Sequence, residues 1–395
     1  MDRNNLKVGI LHGHLDIGGS QMVSRHTAEI FEKMGIETFF YAIHVNEQEW
    51  KPFTSPLIST ILLPDSREVF TPQNVDYLCQ SIQERGISLL LLPVSYPSDY
   101  HSRLSVLGIK LIYWLHSTPF WEVAEDLQNK RRALDESFWM RLRWRLLLRQ
   151  FPRDYKEKRM RVHKQEYLRV LEHVDRVITL CPAYSQELIE ELQLSPEQSR
   201  KLVSILNTID LPEAPCLEKE KLIIFMGRVV RGSKNPFRLV QIWAKIHDQL
   251  PDWQVEIHGS GPDAQELEAM IQRLQLPRIR LCGYCSDPAQ VYQRAAILAL
   301  VSEYEGWALA LVEAQSYGVV PIAFSVCAGN DTIIGGDMQY GRLVTPFSLE
   351  EYAQKLLELC QGDKYKELQE PCLQKSKSYA HEQNYKVWQK LLEEL

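Results

Sequence analysis

Residues 296–323 read AILALVSEYEGWALALVEAQSYGVVPIA. An apolar run stops at Ser302, a short polar loop carries Tyr304, Glu305 and Gly306, an apolar-rich segment follows, and a second apolar run begins after Gly318. Two short aliphatic runs joined by a segment of helical length predict a strand, a helix and a parallel strand. Such strands are buried on both faces, so they read as continuous rather than alternating apolar runs. Glu305 then falls in the loop after the strand ILALV, and Glu313 in the second turn of the helix.

The same alternation continues in both directions. Strands are predicted at 221–226, 253–258, 279–281, 296–301 and 320–325, and before them at 7–11, 37–42, 60–63, 87–93, 110–115 and 176–180. Amphipathic helices intervene, for example at 21–34, 74–85 and 183–192. Between the two series lies Leu211-Pro212-Glu213-Ala214-Pro215, whose prolines can continue neither a helix nor a central strand. The fold class is therefore α/β, with two doubly wound domains, expected at 1–210 and 211–375. The final helix, HEQNYKVWQKLLEEL, is expected to follow a break near Pro371, and residues 376–395 form a third segment.

Composition excludes only extremes. The chain of 395 residues carries 45 Lys and Arg against 51 Asp and Glu, a net charge of −6, with 45% hydrophobic and 24% charged residues. Neither a disordered nor a nucleic-acid-coating chain has this balance. The apolar stretch at 8–11 is too short for a secretory signal, and the runs 87–94 and 295–301 are too short to span a bilayer. Eight cysteines, several in apolar segments, read as reduced core residues, so the expected location is cytoplasmic. Cys282 and Cys285 form a C-x-x-C, but no second pair or histidine cluster accompanies it, which argues against a metal site.

One region breaks the alternation, a helical insertion at 120–167. Residues 130–164 hold thirteen Lys or Arg against four Asp or Glu, interleaved with Trp and Leu. Two readings stand level: a basic face lying peripherally on the anionic inner surface of a membrane, or an insertion whose cations pair with acidic residues elsewhere.

In open parallel sheets, ligands bind beyond the carboxyl ends of the strands. The unusual polar and glycine-rich segments lie there: GHLDIGGSQ, His116, GRVVRGSK, HGSGP and SEYEG. Together they predict two domains facing a cleft. Gly18-Gly19 before a helix could receive an anionic oxygen or form a tight turn with no ligand. Arg228 and Lys234 follow a buried strand, with Asn235-Pro236 expected as N-cap and first helical residue. Two cations at a helix entrance suit a diphosphate. In the most informative segment, backbone N–H groups at 306–309 and the helix dipole favour a phosphate, and the carboxylates of Glu305 and Glu313 suit sugar hydroxyls.

These motifs, in this order, resemble the retaining GT-B glycosyltransferases of family four, the "glycosyl transferases group 1". The resemblance is strongest between 222 and 344 and implies two Rossmann-like domains, the first binding acceptor and the second nucleotide sugar. It implies catalytic roles for Arg228 and Lys234 on the departing diphosphate, Glu305 at the transferred sugar and His116 beside it. Donor contacts would come from Gly19, Gly259, Gly261, Tyr284, Gly306, Trp307, Ala308, Leu309 and Glu313, with Glu313 on the ribose. Asp16 and Gln21 would face the acceptor, the last helix would cross back to the first domain through Trp388 and Leu391, and no cofactor or metal would be required. The chain departs from the family pattern at Ala308, at Cys181 and at Ala328-Gly329-Asn330-Asp331-Thr332.

The expectation is a retaining transferase moving a sugar from a nucleoside-diphosphate sugar to a hydroxyl acceptor, sugar or lipid-linked, in surface polysaccharide or glycolipid synthesis. No nucleic-acid partner is expected. A nucleotide-sugar epimerase, a phosphorylase, or a binding protein without transferase activity are the alternatives.

Overall fold

The structure is a computed structural model describing residues 6–16, 18–93, 100–127 and 151–395, with backbone alone at 101, 102 and 151–154. The chain divides into two compact units, the first formed by Met1–Thr208 and His381–Leu395 and the second by Ile209–Ala380.

The first unit holds β1 (Lys7–Leu11), β2 (His14–Leu15), β3 (Glu37–Ala42), β4 (His44–Val45), β5 (Ile58–Leu62), β6 (Leu89–Leu92), β7 (Lys110–Trp114), β8 (Arg176–Thr179) and β9 (Leu202–Ser204). Its main sheet has the order β5-β3-β1-β6-β7-β8-β9, parallel throughout. β6 is four consecutive leucines, each fully buried, as a central parallel strand covered on both faces must be. The helix His381–Glu394 belongs to this unit. Trp388 is fully buried, with Phe31 at 5.0 Å and Trp114 at 5.3 Å between ring centroids, both edge-on.

The second unit holds β10 (Leu222–Met226), β11 (Gln254–His258), β12 (Ile279–Gly283), β13 (Ile297–Leu300), β14 (Val320–Phe324) and β15 (Arg342–Val344) in the order β12-β11-β10-β13-β14-β15. All pairs are parallel. From β10 the chain builds one side of the sheet, then returns to β10's other edge and builds the opposite side. The point where the order reverses, between β10 and β13, opens a crevice at the carboxyl ends of the two strands. In the first unit the same reversal falls between β1 and β6.

Three expectations are corrected. The break near Pro371 is absent, because the helix Lys366–Ser376 runs through it and the chain turns only at Lys377–Tyr379. Proline forfeits the hydrogen bond to the carbonyl of Glu367, an exposed residue, while Leu368 and Cys372 on either side are buried and keep the helix packed. The second is the helix after Lys234: it is Phe237–Ile246, with Pro236 as N-cap, one residue later than expected. Asn235 instead takes a left-handed φ of 45°, which asparagine tolerates, and its N–H closes the loop on the Val230 carbonyl at 2.8 Å. Third, β9 and β15, three residues each, went unrecognised in the sequence.

Residues 130–150 of the basic stretch lie outside the described residues. Within its remainder, on the helix Phe151–His173, Arg159 pairs with Asp126, and Lys164 lies 2.6 Å from Glu191. Lys156, Lys158 and Arg161 on the same helix are exposed. Among the described residues, no helix is long and apolar enough to cross a membrane.

The fully buried Trp388 makes the helix His381–Glu394 a structural part of the first unit. Trp388→Ala should cost about 3–5 kcal/mol, measured as a loss of unfolding free energy in a denaturant titration. An unchanged midpoint would exclude this anchoring.

Candidate active site

Because the sheet of the second unit diverges at β10 and β13, the loops leaving these strands run side by side. The N–H of Glu303 donates to the Ser233 carbonyl at 2.6 Å, which sets Lys234 opposite Glu305. Lys234 Nζ lies 2.6 Å from Oε1 and 2.8 Å from Oε2 of Glu305. The Ser302 hydroxyl donates to Oε1 at 2.6 Å. Glu305 is only 7% exposed, and a carboxylate so far from water is sustained by a charge and by donors on its lone pairs. Behind this pair, Arg238 donates to the Val301 carbonyl at 3.2 Å and to the Glu303 carboxylate, fixing the base of the loop.

Arg228 differs from Lys234. It is exposed, and among the described residues its guanidinium has no ion-pair partner. Of the two cations that the sequence assigns to a diphosphate, one is held by a carboxylate and one is open to an anion.

The helix Leu309–Ser316 starts at Ala308 with no side-chain cap and no acidic residue in its first turn. Its first turn therefore brings no carboxylate of its own to the positive end. Glu313, on the second turn, accepts from the Tyr292 hydroxyl at 2.9 Å. Burial pushes the Glu313 carboxyl up from its usual range, opposed by the Tyr292 hydrogen bond and the charge of Lys234. Trp307 is buried against Tyr379, with centroids 5.8 Å apart, and Ala308 is buried too, so at 307 and 308 it is backbone that remains for a ligand.

Gly259 and Gly261 act through the loops they join. A Cβ at Gly259, where φ is +145°, would sit 1.8 Å from the Gly227 carbonyl oxygen, and one at Gly261 would sit 2.2 Å from that of Val229. Only glycine lets the segment after β11 lie against the loop after β10. The N–H groups of Gly227 and Val229 donate to the carbonyls of His258 and Ser260 at 3.0 and 2.9 Å. Tyr284, following β12, is 68% exposed.

Beside this region Glu256, His258 and Cys282 each bring one ligand atom within 4.8 Å of the others. The buried Glu256 carboxylate accepts from Arg280 and, at 3.2 Å, from Arg294, and lies 2.8 Å from His258 Nε2. Two guanidinium charges already hold it and oppose a cation. Burial works against ionisation of Glu256, yet these partners bring its carboxyl below the usual range.

In the first unit, Gly18 caps the helix Gly19–Lys33 without a side-chain bond, and Gly19, its first residue, is exposed. The tight position is Gly18 rather than Gly19: a Cβ there would meet Gln21 Oε1 at 2.2 Å and Asp16 Oδ1 at 3.2 Å. Gln21 donates to the His14 carbonyl at 3.2 Å and accepts from Ser20 at 2.9 Å. Asp16, Gly18 and Gln21 therefore form one small cluster at the mouth of β1. His116 lies 4.4 Å from the Trp114 ring, between centroids, and among the described residues neither ring nitrogen has a hydrogen-bond partner, both being buried. Burial, then the neighbouring charge of His12, lowers its pKa to about 3, so the ring is neutral at pH 7. His12, which the sequence did not single out, is buried as well, bonded to Ser24 at 2.9 Å and lowered to about 3 by burial.

Comparison with known proteins follows the same division. Residues 210–378 match the family Glycosyl transferases group 1. Over 99% of this chain and all of the other, the chain is similar to Anabaena HepE in complex with UDP-glucose, at a TM-score of 0.70 and 15% identity. The pneumococcal O-GlcNAc transferase GtfA in complex with UDP and GlcNAc matches over 99% of both chains at a TM-score of 0.73 and 14% identity. The fold is GT-B. Within that GT-B assignment, the amylovoran biosynthesis glycosyltransferase AmsD of Erwinia amylovora is 28% identical over 44% of this chain and 48% of its own. The chain spans about half, or less, of the length of the first curated relatives it matches, at 48%, 31% and 24%.

Of the residues expected from the sequence, the GT-B second unit brings Lys234, Glu305 and Glu313 into one polar group. Ser302, Arg238 and Tyr292 complete it and were missed. Ser302 carried a readable signal, being the first polar residue after a buried strand. Tyr292 carried none, because it occupies a core position of an ordinary amphipathic helix.

The neutral imidazoles have a consequence for acid stability. Native His116 stays unprotonated down to about pH 3, whereas the unfolded residue titrates near 6.5. The unfolded state thus binds more protons between these values, and stability is lost as pH falls through the interval. His116→Leu should leave Tm near wild type at pH 7 and flatten its decline between pH 6.5 and pH 4. An unaltered slope would show that His116 is not held neutral.

Proposed function

We propose that the chain is a retaining, family-four glycosyltransferase that moves a sugar from a nucleoside-diphosphate sugar to a hydroxyl acceptor in surface polysaccharide or glycolipid synthesis. The observation that carries this reading is the group of Lys234, Glu305 and Glu313 around the uncapped helix Leu309–Ser316 at the reversal of strand order. The first unit is assigned to the acceptor, with Asp16 and Gln21 facing it, and the second to the donor.

In this reading the anomeric carbon–oxygen bond of the donor breaks, the acceptor oxygen bonds to that carbon, and the acceptor proton passes to a donor phosphate oxygen. Negative charge grows on the departing diphosphate, where Arg228, Lys234 and the N–H groups at 306–309 oppose it. Arg228 offers a fixed fork of donors to the incoming phosphates. Lys234, a single mobile charge, can leave Glu305 for the phosphate as the bond lengthens. Glu305 is then released toward the sugar, while Glu313 accepts from the ribose hydroxyls. Gly19 is assigned to the donor phosphates, as the family resemblance implies. His116, neutral at pH 7, is assigned to the reacting sugar as the family resemblance implies.

A lipid-linked acceptor is the preferred class, since the basic segment 130–164 ends in a helix with Lys156, Lys158 and Arg161 exposed to a surface. The protein should pellet with vesicles containing anionic phospholipid at low salt and be released as salt rises. Equal recovery with neutral vesicles would remove the membrane from the proposal.

A thermal shift against UDP, GDP, ADP and their sugar conjugates tests the donor site. One base should raise Tm selectively, by an amount equivalent to ~2.7 kcal/mol at a hundredfold excess over Kd. Glu313→Ala should abolish the shift, and Lys234→Ala should lower kcat by about a hundredfold to a thousandfold, as loss of one preorganised donor does. Full turnover by the Lys234 variant would defeat the proposed mechanism.

A further inference from the structure

We propose that Tyr292 is a positioning residue that aims the Glu313 carboxylate at the cis-diol of a ribose, and so sets the preference of this site for ribonucleotides over 2′-deoxyribonucleotides. The inference rests on the second unit binding a nucleoside diphosphate and adds the element that makes Glu313 selective.

Tyr292 lies on the helix Pro288–Arg294, which follows β12 and the exposed Tyr284 directly. Asp287 caps that helix, accepting from the Gln290 N–H at 3.4 Å and from its side chain at 2.9 Å. Only 1% of Tyr292 is exposed, and its hydroxyl donates to Glu313 Oε2 at 2.9 Å. The ring is held from both ends. Lys219 Nζ donates to its backbone carbonyl at 2.8 Å, and the Tyr317 ring stacks on it at 5.6 Å with an interplanar angle of 22°. Tyr317 in turn caps the C-terminus of the helix that carries Glu313. The phenol therefore links the helix beyond β12 to the helix beyond β13 at a fixed distance.

A glutamate side chain turns about several bonds, and a carboxylate free to rotate accepts from any hydroxyl in reach. One stationary donor on Oε2 removes that freedom. It leaves both lone pairs of Oε1 and one of Oε2, enough for two adjacent hydroxyls and in one orientation only. The donor is a neutral phenol, so it places no countercharge on Glu313. A phenylalanine would fill the same volume; the hydroxyl is what this chain adds. A 2′-deoxyribose leaves one of the aimed lone pairs unpaired in a buried place, which an oriented carboxylate penalises and a disoriented one does not.

The experiment is calorimetric titration of the full chain and its Tyr292→Phe and Glu313→Ala variants with UDP, GDP and ADP and their 2′-deoxy counterparts. Wild type should prefer the ribo form of the bound base by about tenfold, the value of one hydrogen bond to a charged group. Y292F should bind the ribo form about tenfold more weakly while its preference falls below about threefold. Equal weakening of both forms, or an unchanged preference, would mean that the phenol serves only packing, and the inference fails while the donor site stands. No binding of any nucleotide by wild type would instead remove the donor site itself and the inference with it, whereas a wild-type preference in E313A would show that Glu313 does not read the ribose, and the inference fails. Should Y292F not fold, Glu313→Asp, which withdraws the carboxylate from Tyr292 by one methylene and keeps its charge, should show the same collapse; a retained preference overturns the proposal.

Discussion

The arrangement of the second unit depends on one constraint, the pairing of β10 with β13. Ile223 and Ile224 stand beside Ile297 and Leu298 in a parallel register, yet 74 positions separate 223 from 297 along the chain. Everything between them has gone to build the other half of the sheet. The two strands are buried along most of their length and end level with each other, so the loops they release have nowhere to go but alongside one another. The Ser233–Glu303 backbone contact, the Lys234–Glu305 pair and the Ser302 hydroxyl are consequences of that adjacency. The aliphatic core of the sheet thus fixes polar groups that it never touches.

The charges around this point are unequally committed. Glu305 is buried, with Lys234 and Ser302 holding its oxygens, so this carboxylate is already committed to partners in the protein. Arg228, exposed and unpaired among the described residues, leaves a positive field at the loop. Under the proposed function, an arriving diphosphate would meet Arg228 first and reach Lys234 only by competing with Glu305. In that reading, binding is coupled to a redistribution of charge through one lysine, a division of labour that two freely solvated cations would not provide.

Much of this was legible in the sequence, for a physical reason. A strand buried on both faces is a nearly unbroken aliphatic run, and polar residues just past its end stand out: Gly227, Arg228 and Lys234 after LIIFM, and Glu305 after ILALV. The N-terminal glycine pair was legible as a tight entrance to a helix, although the steric demand falls on Gly18 rather than Gly19. What escaped was information held between elements. The Tyr292 hydroxyl is invisible in a pattern that records it as one more core aromatic. β9 and β15 were too short to show a period, and Pro371 read as a stop because sequence alone does not reveal that buried neighbours hold the helix together.

The return of residues 381–395 to the first unit bears on the order in which the molecule can be assembled. During synthesis, the strands of the first unit emerge long before Trp388 is available to close the space beside Phe31 and Trp114. About 170 residues of the second unit must be made in between. At ~5–20 residues per second, that leaves the first unit waiting roughly 10–35 s with an aromatic-lined hollow open to solvent. The nascent chain is most vulnerable to aggregation in that interval. The second unit, contiguous from Ile209 to Ala380, carries no such debt and can close as soon as it clears the ribosome.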